Sequence, residues 1–323
     1  MCFGYDGEGA LQRSLEEKGA SRRSLFRGAA LGATGLAAVG SGFAVPAAAG
    51  DKKERGHGHG GGRTVPHHEI SIQLYTLRDA MEDEAGFDLV MNRLAQYGYE
   101  KVELAGNYGG RTPRELRTFL DDLGIRASSS HDGLSNRDRA AMHAKFARAV
   151  TLGQKYVVVP YLNDTTLEYW QDAAEQMNTE AALAKRYGLR YGYHNHAHEF
   201  TIDLGGGLTP WEVLTENLDR RLVHLEVDLY WAYTGGVNSG ASDPLEFAID
   251  VIHDAPQEVR QFHVKDRDAA TGDMCDLGTG VIDFAEIFRS HAVEEYIVEN
   301  DTPDVTPLTT AAVGHVYLDH LRY

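Results

Sequence analysis

The chain has 323 residues, which is enough for one large domain or two small ones. Its apolar fraction of 42% is ordinary for a soluble globular protein, so a sizeable core can form. The formal net charge of −17 at pH 7 gives a surface that repels phosphate backbones and anionic membranes. Composition and charge therefore indicate a globular protein and argue against nucleic acid as a partner.

The N-terminus has the pattern of an export signal rather than of a folded domain. Ser21–Arg27 contains the adjacent arginine pair that marks a twin-arginine signal. A weakly apolar run, Gly28–Val45, follows, and Ala47–Ala49 supplies small residues for a signal peptidase. We predict a twin-arginine signal peptide over residues 1–49, with export by that machinery to the periplasm or the cell exterior. No stable membrane insertion is expected after cleavage; an uncleaved N-terminal anchor is the alternative.

Residues 50–66 have the composition of a linker. A charged stretch is followed by a glycine- and histidine-rich one and then by a proline, which is typical of flexible segments. The predicted order is therefore a signal peptide at 1–49, a linker at 50–66 and one folded domain at 67–323.

From Glu69 onward, short β-branched runs alternate with longer segments of helical periodicity. The eight predicted strands span residues 69–76, 101–104, 125–131, 156–160, 189–196, 222–229, 259–265 and 296–299. The predicted helices that follow them span 86–97, 112–123, 136–152, 166–187, a segment from 209, 242–253, 282–290 and a segment within 307–321. Two helix starts are marked by a capping threonine before a proline, at Thr112 and at Thr209.

This alternation of strands and helices predicts the fold class. Strands separated by helices pair in parallel, and eight such units in about 250 residues are the size of a TIM barrel. We therefore predict an α/β fold, a (β/α)8 TIM barrel. A doubly wound open sheet is the structural alternative, but it favours a glycine-rich phosphate loop after the first strand. That position holds Arg78–Met81 instead.

Titratable side chains recur where the predicted strands end, and in a TIM barrel that edge carries the active site. They are Glu103, His131, His194, His196, Glu199, Glu226, Asp228, His263, Lys265, Asp266 and Glu299. Glu226 and Asp228 face the same side of their strand, as do His263 and Lys265 on the next. Charges that face the interior of a barrel are costly unless a cation or another partner compensates them. One shared cation is favoured over separate salt bridges.

Four of these residues form the predicted metal site: Glu199, Asp228, His263 and Glu299. Three carboxylates and one imidazole are an oxygen-rich ligand set that suits Mn²⁺, Mg²⁺ or Co²⁺. The predicted cofactor is therefore one divalent metal ion of this kind, with Zn²⁺ as the alternative.

Six short segments also carry a family resemblance. They are Gln73–Asp79, Val102–Leu104, Tyr193–Phe200, Asp228–Trp231, His263–Asp266 and Val298–Asp301. Their order and spacing resemble the sugar phosphate isomerase/epimerase family, whose members are xylose isomerase-like TIM barrels. The resemblance implies a metal site on the same four residues, with Glu199 and Glu299 also acting as an acid/base pair. Trp231 stands where ketose 3-epimerase relatives have a second histidine. Relatives often form dimers or tetramers, which implies a homodimer or homotetramer.

These observations predict a metal-dependent sugar isomerase or epimerase that transfers protons through an enediolate of a sugar or keto-sugar. The predicted substrate-binding residues are Glu103, His131, His196, Trp231 and Lys265. One alternative is a lyase or dehydratase that acts on a keto-sugar or keto-inositol at the same metal site. Another is an exported carbohydrate-binding protein without catalytic activity. A nuclease on the same barrel would need a basic face, which the net charge opposes.

Overall fold

The computed structural model describes residues 62–323, and within them the chain forms a barrel of eight parallel strands. The strands are β1 (Ile70–Ile72), β2 (Lys101–Leu104), β3 (Arg126–Ser130), β4 (Tyr156–Val159), β5 (Arg190–His194), β6 (Val223–Asp228), β7 (Val259–Val264) and β8 (Glu295–Val298). Six form one sheet in the order β1, β8, β7, β6, β5, β4, and β2 pairs with β3. Two parallel bridges, Gln73 to Glu103 and His131 to Val158, join these sheets and close the ring. The predicted TIM barrel is confirmed.

Within the same residues, nine α-helices connect the strands. They are α1 (Glu84–Tyr97), α2 (Pro113–Asp122), α3 (Arg139–Leu152), α4 (Leu167–Arg186), α5 (Pro210–Asn217), α6 (Leu229–Ser239), α7 (Pro244–Asp254), α8 (Phe284–Ser290) and α9 (Pro307–His320). Helices α2 and α5 begin as the sequence predicts. The hydroxyls of Thr112 and Thr209 accept hydrogen bonds from backbone N–H groups of the first turn, and a proline follows each threonine.

Several elements differ from the sequence prediction. After β7, Asp266–Arg267 and Met274–Cys275 form a short antiparallel pair of strands in a segment for which no strand is predicted. The first strand is shorter than predicted, because the Gln73 side chain accepts a hydrogen bond from the Tyr75 N–H and begins a 3₁₀ helix over Leu74–Ala80. Helix α6 is not predicted at all and begins directly after β6. Asp228 ends that strand and caps the helix, with Oδ1 accepting a hydrogen bond from the Trp231 N–H at 2.9 Å.

The described chain begins with residues that contact its C-terminus. Thr64 forms a bridge with Arg322, the Tyr323 N–H donates to the Arg63 carbonyl, and Val65 is buried. Arg63, Thr64 and Val65 belong to the stretch that the sequence assigns to the linker. The predicted twin-arginine signal and most of that linker lie outside the described residues. Among residues 62–323, the helices are too short or too polar to cross a bilayer.

The interior of the barrel is polar. Buried side chains on the interior faces of the strands include Glu103, His194, His224, Glu226, Asp228, Gln261, His263, Glu295 and, just beyond the strand ends, Lys265 and Glu299. Residues between them, such as Val227 and Val264, point the other way and join the apolar core. A buried charge is costly without a partner, so the members of this polar layer must compensate one another through direct contacts.

Candidate active site

Four side chains meet at the carboxyl-terminal edge of strands β5 to β8. His194 and Asp228 are the last residues of β5 and β6, His263 is the penultimate residue of β7, and Glu299 follows β8. The parallel register holds them level, since Asp228 pairs with His263 and His263 pairs with Ile297. This is the edge at which TIM barrels carry their active sites.

We call these four residues the upper cluster, because one ligand atom from each lies within 4.8 Å of the others. His263 Nδ1 is 2.5 Å from Glu299 Oε2, and His194 Nε2 is 3.6 Å from Asp228 Oδ2. All four side chains are buried, and Asp228 Oδ2 accepts no hydrogen bond although Lys265 Nζ lies 3.1 Å away. Two imidazole nitrogens and two carboxylate oxygens that converge in this way fit a divalent transition-metal ion.

Lys265 supplies a positive charge next to the upper cluster. Its Nζ lies 2.8 Å from Glu299 Oε2 and 3.1 Å from both Asp228 Oδ2 and Asp301 Oδ2. The centre of the Trp231 ring lies 5.7 Å from the same ammonium group. Burial alone would lower the pKa of Lys265, but the three carboxylates raise it well above its usual value. Lys265 is therefore a fixed cation of the site.

A second group of side chains lies one layer deeper in the barrel and is called the lower cluster. It consists of the buried Glu103 and Glu226 and the partly buried His131. Glu226 Oε1 lies 2.9 Å from His131 Nε2, 3.3 Å from His194 Nδ1 and 3.1 Å from His263 Nε2. Glu103 Oε1 lies 2.7 Å from His263 Nε2 and 3.2 Å from His131 Nε2. His194 and His263 therefore link the two clusters: one ring nitrogen of each histidine faces the other members of the upper cluster, and the second nitrogen faces the lower cluster.

Glu199, predicted as a metal ligand, is placed differently. It lies in a 3₁₀ turn, where its oxygens accept hydrogen bonds from the Tyr193 hydroxyl at 2.7 Å and the His196 N–H at 2.9 Å. Among the described residues, it is not one of those whose ligand atoms gather in the upper cluster, and His194 stands in its place. The structure thus brings together three of the four predicted ligands, and it adds a histidine that the sequence motif contains but does not single out.

The upper cluster opens into a pocket of about 480 Å³. The pocket is lined by Tyr75, Ala105, His131, Pro160, Tyr161, His194, His196, Lys265, Glu299 and Asp301. The predicted substrate-binding residues His131, His196 and Lys265 are in this wall. Trp231 packs against it, with its ring 5.3 Å from the His196 ring, and Glu103 is buried next to His131. All five predicted substrate-binding residues therefore lie in or against one site.

Two further wall residues escape the sequence analysis. Asp301 pairs with Lys265, and its only sequence signal is its place at the end of the segment Val298–Asp301. Tyr161 follows β4, and its ring centre lies 5.0 Å from that of His196. No local pattern marks Tyr161, because its place in the pocket wall depends on packing against His196, a residue that follows another strand.

Metal uptake by the upper cluster is expected to release protons and to weaken as the pH falls, most steeply below about pH 6. Burial raises the pKa of Asp228 to about 6, against the lowering effect of Lys265. Burial alone would lower the pKa of His263, but the surrounding glutamates, Glu226 first, raise it well above its usual value. His194 differs, since burial lowers its pKa to about 3 and leaves the ring neutral. His263 therefore carries a proton at neutral pH, and Asp228 takes one up below about pH 6. A metal must displace these protons, so acid favours the protonated, metal-free form.

Each displaced proton weakens the affinity about tenfold for every pH unit below the pKa of its group. Calorimetric titration with Zn²⁺ in buffers of different ionisation enthalpy measures this proton release directly. An affinity that stays constant between about pH 5 and about pH 7 would contradict the expected competition.

The fold and the upper cluster together define the class of protein: a TIM barrel with a metal-capable site at the carboxyl-terminal edge of its strands. Within that class, the family profile described as Xylose isomerase-like TIM barrel matches residues 91–293. The match spans more than half of the chain, and the chain belongs to this family.

Individual relatives have different activities. The chain is 28% identical over 186 residues to an inosose dehydratase of Bacillus licheniformis. The aligned region covers 50% of this chain and 56% of that protein, so the chain spans just over half of that relative's length. A solved sugar phosphate isomerase/epimerase of Parabacteroides distasonis is similar with a TM-score of 0.62 and 24% identity, over 79% of this chain and 94% of that one. The IolI protein, solved with a zinc atom, is similar with a TM-score of 0.57 and 14% identity, over 77% of this chain and 96% of that one. At these identities the structural likeness establishes the fold alone.

Proposed function

We propose that this protein is a metal-dependent enzyme that isomerises or epimerises a sugar or keto-sugar by proton transfer. The observation that carries the proposal is the upper cluster, two of whose four metal-capable side chains, His194 and Glu299, line a pocket of about 480 Å³. A pocket of this volume suits a monosaccharide-sized molecule. Family membership and the similarity to a sugar phosphate isomerase/epimerase support the same class of activity.

The proposed cofactor is one divalent ion held by His194, Asp228, His263 and Glu299. When bound, such an ion polarises a substrate carbonyl and stabilises the negative charge that develops on its oxygen. Two nitrogen and two oxygen ligands suit Zn²⁺ as well as Mn²⁺ or Co²⁺. The oxygen-rich ligand set expected from the sequence also suited a harder ion such as Mg²⁺. The zinc atom in the IolI protein supports a divalent ion of this kind.

The pocket residues would bind and orient the substrate. Lys265 donates hydrogen bonds, Asp301 accepts them, and the imidazoles of His131 and His196 can do either toward hydroxyl or carbonyl oxygens. Glu299 forms part of the wall, so it keeps the acid/base role expected from the sequence. We assign Glu199 to a different task, because its hydrogen bonds hold the turn after β5 and it is not part of the pocket wall.

A dehydratase that acts on a keto-inositol or keto-sugar is the second candidate function. The match to an inosose dehydratase favours it. Both reactions begin with removal of a proton from the carbon beside a carbonyl. They differ in the next step: a proton returns to carbon in an isomerase or epimerase, whereas a hydroxyl group leaves as water in a dehydratase.

Proton NMR in D₂O separates the candidate functions. The purified protein, loaded in turn with Zn²⁺, Mn²⁺ and Co²⁺, is incubated with a panel of ketoses, keto-sugars and inososes. An isomerase or epimerase is expected to introduce deuterium beside the carbonyl without loss of water, and a dehydratase to give a product that is one water lighter. The Asp228→Asn variant, which lacks a proposed ligand, should do neither. Sugar binding without exchange or elimination would contradict both functions and leave the carbohydrate-binding alternative.

A further inference from the structure

His194 and His263 present opposite ring nitrogens to the upper cluster. For His263, Nδ1 faces Glu299 at 2.5 Å and Nε2 faces Glu226 at 3.1 Å. For His194 the order is reversed, since Nε2 faces Asp228 at 3.6 Å and Nδ1 faces Glu226 at 3.3 Å. The same carboxylate therefore lies behind both imidazoles.

On the side of these rings that faces the lower cluster, there is a second group of side chains that could bind a metal. His131, His194, Glu226 and His263 also bring ligand atoms within 4.8 Å of one another. Two ions at the same time, however, would require His194 and His263 to bind a metal through both ring nitrogens. A neutral imidazole has one acceptor nitrogen and one N–H, so each ring would have to give up its last N–H proton. One ion in the upper cluster avoids this, because each ring then keeps an N–H to donate to the lower cluster.

We propose that Glu226, supported by Glu103, selects the tautomers of both histidines, so that His194 binds the ion through Nε2 and His263 binds it through Nδ1. This inference rests on the metal site proposed above and deepens it. Glu226 is a positioning residue, since it acts on the ion only through the two imidazoles. A carboxylate that accepts the N–H of a ligand histidine fixes the ring orientation and makes the other nitrogen a stronger ligand.

The place of Glu226 in the fold suits this role. It precedes Asp228 by two positions on β6, so its side chain faces the same interior side one layer deeper. It is fully buried, and its Oε1 also lies 2.9 Å from His131 Nε2. Glu103 is oriented in turn by Gln73, whose Nε2 donates to Glu103 Oε1 at 2.7 Å. A carboxylate oxygen can accept several N–H groups, whereas a neutral amide oxygen is a weaker acceptor for them.

The zinc affinity of a Glu226→Gln variant tests the proposal. Glutamine keeps the size of the side chain but removes its charge, so we expect the affinity, measured by competition with a chromophoric chelator, to fall about 10- to 100-fold. The absorption bands of the Co²⁺-loaded variant should shift as well, because the donor strength of two ligands changes. Glu295→Gln is the matched control: Glu295 is an equally buried interior carboxylate whose hydrogen-bond partners are Ser128 and Gln261. Its affinity and spectrum should match the wild type.

A second measurement needs no substitution and decides the matter if Glu226→Gln does not fold. Imidazole ¹⁵N NMR of the Zn²⁺-loaded wild type should show one ligand histidine coordinated through Nε2 and one through Nδ1. Coordination of both rings through the same nitrogen would overturn the proposal, as would two zinc ions per chain. A folded Glu226→Gln variant that binds Zn²⁺ as tightly as Glu295→Gln would overturn it too.

Failure of the metal site itself has a different signature. If the wild type binds no ion, or if Asp228→Asn binds Zn²⁺ as tightly as the wild type, the proposed metal site is wrong and the inference falls with it. If Asp228→Asn loses Zn²⁺ binding while Glu226→Gln keeps it, the metal site stands and only the positioning role is wrong.

Discussion

The Glu299→Gln variant is expected to lose at least about a thousandfold in kcat/KM, because a bound ion contributes several kcal/mol to catalysis and each 1.4 kcal/mol is a factor of ten. Glu299 Oε2 lies 2.5 Å from His263 Nδ1 and 2.8 Å from Lys265 Nζ, and the side chain forms part of the pocket wall. An amide at this place removes one of the two negative charges that the upper cluster offers a cation. Steady-state kinetics on the substrate found by NMR, together with metal analysis, measure both effects.

Excess metal separates the two roles of Glu299. If added Zn²⁺ restores the metal content of Glu299→Gln but not its turnover, the carboxylate also transfers protons. If metal content and turnover return together, Glu299 acts as a ligand only. Full turnover at ordinary metal concentrations would contradict both roles.

The companion variant Glu199→Gln distinguishes the ligand set of the structure from the one expected from the sequence. Because Glu199 bonds to Tyr193 and to the His196 N–H, its variant should still hold one ion. Loss of the ion from Glu199→Gln would return Glu199 to the ligand set and remove His194 from it.

The barrel could be predicted because its strands and most of its helices carry local signals, but helix α6 could not. Leu229–Trp231 continues the apolar pattern of β6, and Gly235 and Gly236 are residues that disfavour helices. In the folded chain these glycines are where aromatic rings pack closely, and a Cβ on Gly235 would lie 2.5 Å from the Phe200 ring. Tertiary contact rather than local propensity accounts for this helix.

The candidate site, like the fold, could be predicted only in part. Asp228, His263 and Glu299 could be chosen from the sequence because each lies at the end of a recognisable strand. The fourth position could not, since Tyr193–Phe200 offers three histidines and a glutamate, and only the turn after β5 decides which one faces the upper cluster. The positioning role of Glu226 was also out of reach, because its partners come from different strands and no spacing along the chain relates them.

Lys265→Met is expected to lower the free energy of unfolding of the metal-free protein by about 3–5 kcal/mol, the usual effect of removing one partner from a buried ion pair. Lys265 Nζ is fully buried between Asp228, Glu299 and Asp301, at 2.8 to 3.1 Å from each. Without the ammonium group, these carboxylates repel one another in a poorly solvated interior. A divalent ion in the upper cluster supplies positive charge to two of them, so Zn²⁺ should recover much of the lost stability. Urea unfolding with and without Zn²⁺ measures the recovery.

Lys145→Met is the matched control for this prediction. Lys145 is also buried, and its Nζ pairs with Glu180 at 2.8 Å between α3 and α4. Its removal should destabilise the protein by a similar amount, but Zn²⁺ should stabilise this variant only as much as it stabilises the wild type. The reason is that an ion binds the folded state alone and adds stability according to its affinity, and only the loss of Lys265 raises that affinity by removing a competing cation. If Zn²⁺ stabilises both variants equally, Lys265 and the metal do not share the same carboxylates, and the proposed position of the ion is wrong.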